Sequence, residues 1–249
     1  MMQDQVVDTP AATEFFERVL QLCSTDELAA IGADLQRKSA AMRSLAGDDP
    51  ATVMDVDSLR ELLGWVFCAR RKTNKIFALV DPADLATGIA DLLHGTGGIV
   101  TRYDRFTALL EPLPEIAEDL PGELLHFLDP ARYWLWTRWM WDPTAETGAL
   151  ALVTTDDTDL GTWGSSRGEV YLNVGRAVAF VEETGKAAGF TDLGSGLFGT
   201  DVFLAAVYGI YLNTVLSMRT TRELTQMLPA LPELTRRLLG VHYAPHRKA

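Results

Sequence analysis

Four residues repeat a pattern that suits metal chemistry. Asp91-Leu92-Leu93-His94 and Glu123-Leu124-Leu125-His126 each read carboxylate-x-x-His. On a helix, positions i and i+3 share a face, so each pair presents one oxygen and one imidazole in the same direction. Two such helices facing each other would offer Asp91, His94, Glu123 and His126 to a divalent metal. The competing role is electrostatic. Glu123 sits early in a Pro-started helix, and His94 and His126 sit near helix ends, where an acid and an imidazolium respectively favour the helix dipole.

The repeated pair resembles the ferritin-like di-metal carboxylate proteins, whose two Glu-x-x-His helices are completed by a Glu from each of two others. The likeness covers these eight residues, with Asp91 in place of Glu. It implies a metal-dependent enzyme with further carboxylates drawn from Glu61, Glu182, Glu183 or Asp201.

A second chemistry is aromatic. Tyr133, Trp134, Trp136, Trp139 and Trp141 fall within nine residues and hold four of the six tryptophans. Tryptophan is enriched where an apolar surface meets a polar group, so this density marks a core, an interface or an aromatic-lined pocket for a small molecule. A third candidate is Gly194-Ser195-Gly196-Leu197-Phe198-Gly199. It matches G-x-G-x-x-G, but no strand precedes it and no acid follows about 20 positions later, which excludes the dinucleotide fold. What remains is a helix start whose amides, around Gly194, Ser195, Gly196 and Gly199, could hold an anion.

Other motifs fail on geometry. Asp157-Thr158-Asp159 opens like a calcium loop, but Thr162 replaces the required glycine. His242 and His246 have metal-like spacing, with Pro245 between them. Arg70 to Lys75 is the one dense basic cluster, a solvated face or a docking patch for an acidic group. Leu124 to Tyr133 resembles a helix-turn-helix joint of helical DNA-glycosylase-like proteins, without that family's glycine-rich hairpin or catalytic aspartate.

The elements that would position these residues are helical. Asp201 to Arg219 encloses 17 residues with neither charge nor proline, the signature of a buried core helix or a membrane span. It only just reaches spanning length, and Asn213, Thr214 and Ser217 dilute it, so a core helix is the expectation. Ala205, Gly209 and Asn213 place small side chains on one face for close packing. Thr9-Pro10, the Ser24 to Glu27 capping box, Asp81-Pro82 and Pro121 start helices, and Gly47, Gly189 and Gly240 stop them. The pattern predicts one helix over Asp57 to Phe77, and another from Asp129-Pro130 through the tryptophans.

The expectation is an all-α fold, or nearly so. It is a multi-helix globular bundle of roughly nine helices around a buried central helix, 201–219. At most a short extended segment falls near 148–155. A single domain spans 9–241, with a candidate subdomain junction near 111–121 and flexible tails at 1–8 and 242–249. The net charge of −12 argues against nucleic acid as the main partner. Cys23 and Cys68, far apart in helical patterns, suit a reducing compartment. Met1 to Thr9 carries no secretory pattern, so the expected location is cytoplasmic. No catalytic constellation assembles. The leading functional expectation is a non-catalytic helical protein, a homo-oligomer or the binder of a protein partner through its Trp-rich segment. The alternatives are the metal-dependent enzyme and the aromatic pocket.

Overall fold

The computed structural model describes residues 6–47, 54–161, 165–189, 196–219 and 229–241. The expected turn at 48–50, the helical continuation over 220–228, Gly194, Ser195 and the tail from His242 lie outside the described residues. Those described form helices and no strands, as the periodicity predicts: α1 (Thr9–Leu22), α2 (Thr25–Ala46), α3 (Val56–Trp65), α4 (Thr73–Leu79), α5 (Pro82–His94), α6 (Ile99–Leu109), α7 (Pro114–Ala117), α8 (Asp119–Leu128), α9 (Arg167–Ala188), α10 (Gly199–Arg219) and α11 (Leu231–Leu238). Near 148–155 the chain makes a 3₁₀ turn, Leu150–Leu152, and a single antiparallel bridge from Thr154 to Val7.

The caps explain most boundaries. Ser24 and Glu27 satisfy each other's backbone amides at the start of α2, with Ser24 N–H donating to Glu27 Oε2 at 2.9 Å and Glu27 N–H to Ser24 Oγ at 3.2 Å. Asp81 accepts from Ala83 N–H at the start of α5, with Pro82 in its first turn. Gly47, Gly189 and Gly240 take left-handed φ values of 76°, 83° and 70° at or just after helix ends, the conformation a helix stop needs.

The chain divides into two units. The first takes the described residues of Met1–Gln36, Trp139–Asp159 and Ala177–His242; the second takes those of Arg37–Arg138 and Leu160–Arg176. In the first, α10 packs against α1 and α11. Val202 to Val207 are fully buried, whereas Met218 at the far end is 79% exposed. A Cβ on Gly209 would come within 2.7 Å of Leu231, so the glycine expected to admit a neighbour does so for α11. The stretch Gly196–Leu216 is long and apolar enough to cross a membrane by length and composition, and 56% of it is buried inside the protein. In the second unit α5, α6 and α8 pack on one another, with α3 against α5. The 111–121 stretch lies within this unit.

Three helical expectations are corrected. The helix predicted over Asp57 to Phe77 breaks at Val66, whose ψ of 120° is extended, and resumes at Thr73. The break releases the amides of Phe67 and Cys68 to Glu123, a long-range partner that local periodicity does not reveal. The helix starts at Asp119 rather than Pro121, which falls in its first turn. The tryptophan segment is not a helix. Asp129 turns the chain by accepting from the amides of Arg132 and Tyr133, and 134–138 then run without helical bonding.

Candidate functional site

Helix α8 organises the second unit through two faces. Asp119, Gly122 and His126 lie at i, i+3 and i+7, on one side of the helix. Residues 133–138 run antiparallel along that side as an extended strap. His126 Nδ1 meets the carbonyl of Tyr133 at 2.8 Å. A Cβ on Gly122 would lie 2.1 Å from the carbonyl oxygen of Trp136, so only glycine admits the strap there. Asp119 accepts the amide of Arg138 at 2.9 Å and its Nη2 at 2.8 Å. The strap's rings face a stack in which Tyr103 and Tyr171 lie 4.7 Å apart and Trp136 lies 5.8 Å from Tyr103. Tyr171 donates its hydroxyl to the carbonyl of Trp134 at 3.2 Å. Burial pushes the phenols of Tyr103 and Tyr171 well above their usual value.

The adjoining flank of α8 carries Glu123 and Phe127, at i and i+4. Lys38 from α2 donates to Glu123 Oε2 at 3.2 Å and stands 3.8 Å from the centroid of the Phe127 ring. Phe67 N–H and Cys68 N–H donate to the two Glu123 oxygens at 3.0 and 3.2 Å. The Lys38 and Glu123 side chains are only 1% and 4% exposed. Burial pulls Lys38 down from its usual value, against the upward pull of Glu123. It pushes the Cys68 thiol well up, with the Glu123 charge adding to it. A sealed pair of this kind presents nothing to a substrate, and removing one partner would leave the other charge buried and uncompensated.

A third group surrounds Arg102, a residue only 6% exposed. Its Nη1 donates to the carbonyls of Leu92 and Leu93 at the end of α5, at 2.6 and 2.8 Å. Its Nη2 reaches the Tyr133 hydroxyl at 3.3 Å. Its Nε–H is buried with no hydrogen-bond partner in the protein.

No protein-family model, curated protein or solved structure matches this chain.

Three of the four carboxylate-x-x-His residues have separate partners. Asp91 is paired with Arg105 at 2.9 Å, Glu123 with Lys38, and His126 with the strap. His94 is exposed at the end of α5. Among the described residues no three His, Cys, Asp or Glu side chains gather where they could share a metal ion. Of the aromatic set, Tyr133, Trp136 and Trp141 are buried and Trp134 and Trp139 half-buried. Trp139 belongs to the first unit, where it lies 6.2 Å from Tyr208, itself 5.7 Å from Tyr211. Of the glycine loop, Gly196 has a φ of 58°, beside Gln36, and Gly199 opens α10. In the basic cluster, Lys75 pairs with Glu115 and Arg70 lies over Phe67.

Sequence reasoning passed over Lys38 and Arg102. The signal was a charge on an apolar stripe. Leu28, Ile31, Leu35, Lys38 and Met42 step by three and four, and all five are buried. Arg102 likewise shares the buried face of α6 with Tyr103, Phe106 and Thr107.

Proposed function

We propose that this chain acts by binding rather than catalysis, as a helical protein that self-associates. The observation that supports the reading is the outer end of α10. Tyr208, Tyr211, Val215 and Met218 are spaced i, i+3, i+7 and i+10, which lines them on one side of the helix. The first three are half-buried and Met218 is 79% exposed. Trp139, a member of the aromatic segment, lies beside Tyr208 with the two rings tilted by 36°. Tyrosine, tryptophan and methionine are the residues enriched at the centres of protein interfaces.

A second copy is the occupant that the charge pattern favours. Residues 202–218 carry no charge in a chain of net charge −12. Two copies meeting on this stripe bring apolar surface together without opposing their carboxylates, and an isologous contact of this kind closes as a dimer. Size-exclusion chromatography with light scattering, across the micromolar range, tests it. The expected result is twice the chain mass for the wild type and the single chain mass for Tyr211→Glu or Met218→Glu, with helical circular dichroism unchanged. A monomeric wild type, or a dimer that survives both substitutions, overturns the proposal.

A further inference from the structure

The turn between α3 and α4 gathers positive charge in an acidic chain. Residues 66–80 carry Arg70, Arg71, Lys72 and Lys75 and no carboxylate, against a net charge of −12 for the whole. Arg60 of α3 joins them. Its Nη1 donates to Asn74 Oδ1 of α4 at 2.9 Å rather than to Asp57 or Glu61 of its own helix. Two of these guanidiniums lie on rings, Arg60 at 4.8 Å from the centroid of Phe77 and Arg70 at 4.8 Å from that of Phe67. A ring face holds a guanidinium by its plane and leaves the N–H edge, the part that grips carboxylates, pointing away from the ring. Glu115 of α7 pairs with Lys75 and lies within electrostatic reach of Lys72. Among the described residues Arg60 and Arg71 pair with no carboxylate. Arg60, Arg71 and Lys75 are exposed, and so are Phe67 and Leu79 of the same stretch. A face built only to be solvated interleaves its cations with acids at neighbouring positions. Here apolar side chains stand where those acids would be.

We infer that this corner docks a short acidic segment of a protein partner, one that carries an apolar side chain among its carboxylates. The charge of the remaining chain selects the shape of the partner. A wide polyanion, such as a membrane surface or a nucleic acid, would lay its charges against the chain's many carboxylates as well as against the patch. A narrow peptide strand meets the patch alone. The cations select its carboxylates, and the exposed Phe67 and Leu79 select an apolar residue between them. The surface lies within the second unit and is independent of the α10 stripe proposed for self-association.

The probe is a fluorescein-labelled heptapeptide of six glutamates around a central phenylalanine, followed by fluorescence anisotropy. Binding should saturate and should weaken as sodium chloride rises from 50 to 300 mM. Arg71→Glu with Lys72→Glu should weaken it by about fivefold or more. Arg18→Glu with Arg176→Glu reverses two exposed arginines elsewhere, changes the net charge equally, and should leave binding within about twofold. Circular dichroism checks that both variants keep their helices. Alanine in place of the peptide's phenylalanine should bind more weakly. No saturation with protein up to about 1 mM, an equal loss in the two double variants, or tighter binding to vesicles rich in phosphatidylserine than to the peptide each overturns the inference.

Discussion

Replacing Lys38 by Met tests what holds α2 to α8. Methionine keeps the length of the stem and its contact with the Phe127 ring, and removes the charge. Glu123 would then remain buried, 4% exposed, accepting from the amides of Phe67 and Cys68. Breaking a buried pair by removing one partner destabilises by about 3–5 kcal/mol, because the other charge is left uncompensated. For a chain of this size that corresponds to a drop in Tm of about 6–20 °C. Glu123→Gln should cost a similar amount from the other side, since Lys38 would then be the uncompensated charge. The double variant, Lys38→Met with Glu123→Gln, leaves no buried charge. It should therefore lose less than the sum of the singles by at least about 1 kcal/mol. Urea unfolding followed by circular dichroism gives all three values. If Lys38→Met costs less than about 1 kcal/mol, the pair behaves like a solvated surface bridge and the reasoning is wrong.

Two further outcomes follow from the packing. Gly122→Ala should lower the urea midpoint by the equivalent of about 1–3 kcal/mol or more, since its Cβ would meet the Trp136 carbonyl at 2.1 Å and backbone cannot swing aside; a wild-type midpoint would show that the strap does not lie against α8. Stability should fall as pH rises from 9 towards 11. Burial raises Cys23 from 9.0 to about 11 and pushes Cys68, Tyr103 and Tyr171 up as well. The unfolded chain gives up these protons before the folded chain does, so unfolding is favoured as they are lost. Lys38 acts with the opposite sign, because its folded pKa lies below its usual 10.5 and its burial penalty eases as the pH climbs. Tyr208 is raised by burial too, so five acids against one base leave a net loss, measured as Tm across that range; a rising Tm would contradict it.

The helices were legible wherever a local device sets them. The Ser24 to Glu27 box, Asp81-Pro82 and the glycine stops depend on neighbours within four residues, and sequence displays those. The all-helical class follows from the same signals. The break after Trp65 and the extended tryptophan strap were not legible, because both are imposed from a distance. Glu123 takes its amides from residues 55 and 56 positions away, and Asp119 takes the amide of Arg138 from 19. Periodicity drew attention to Glu123 and His126 as a pair on one helix. Their use by different neighbours depends on what each flank of α8 meets. The α10 stripe was visible as an apolar run, but which end of it stays uncovered depends on where α1 and α11 stop.

The antiparallel lie of the strap on α8 bears on the order in which the chain acquires its structure. Its two hydrogen-bonded ends join residues 7 and 19 apart in sequence, through the turn at Asp129. Tyr171 arrives from 37 residues away, and Lys38 from 85. Bringing distant residues together costs chain entropy before any contact offsets it. Chain entropy by itself therefore favours closing the helix and its strap first, as a hairpin, with the buried ion pair set upon it later. A contact made after the rate-limiting step protects the finished protein without hastening its formation. On that order Lys38 is a latch: in stopped-flow kinetics Lys38→Met should refold at nearly the wild-type rate and unfold faster, and a slowed refolding limb would refute the order.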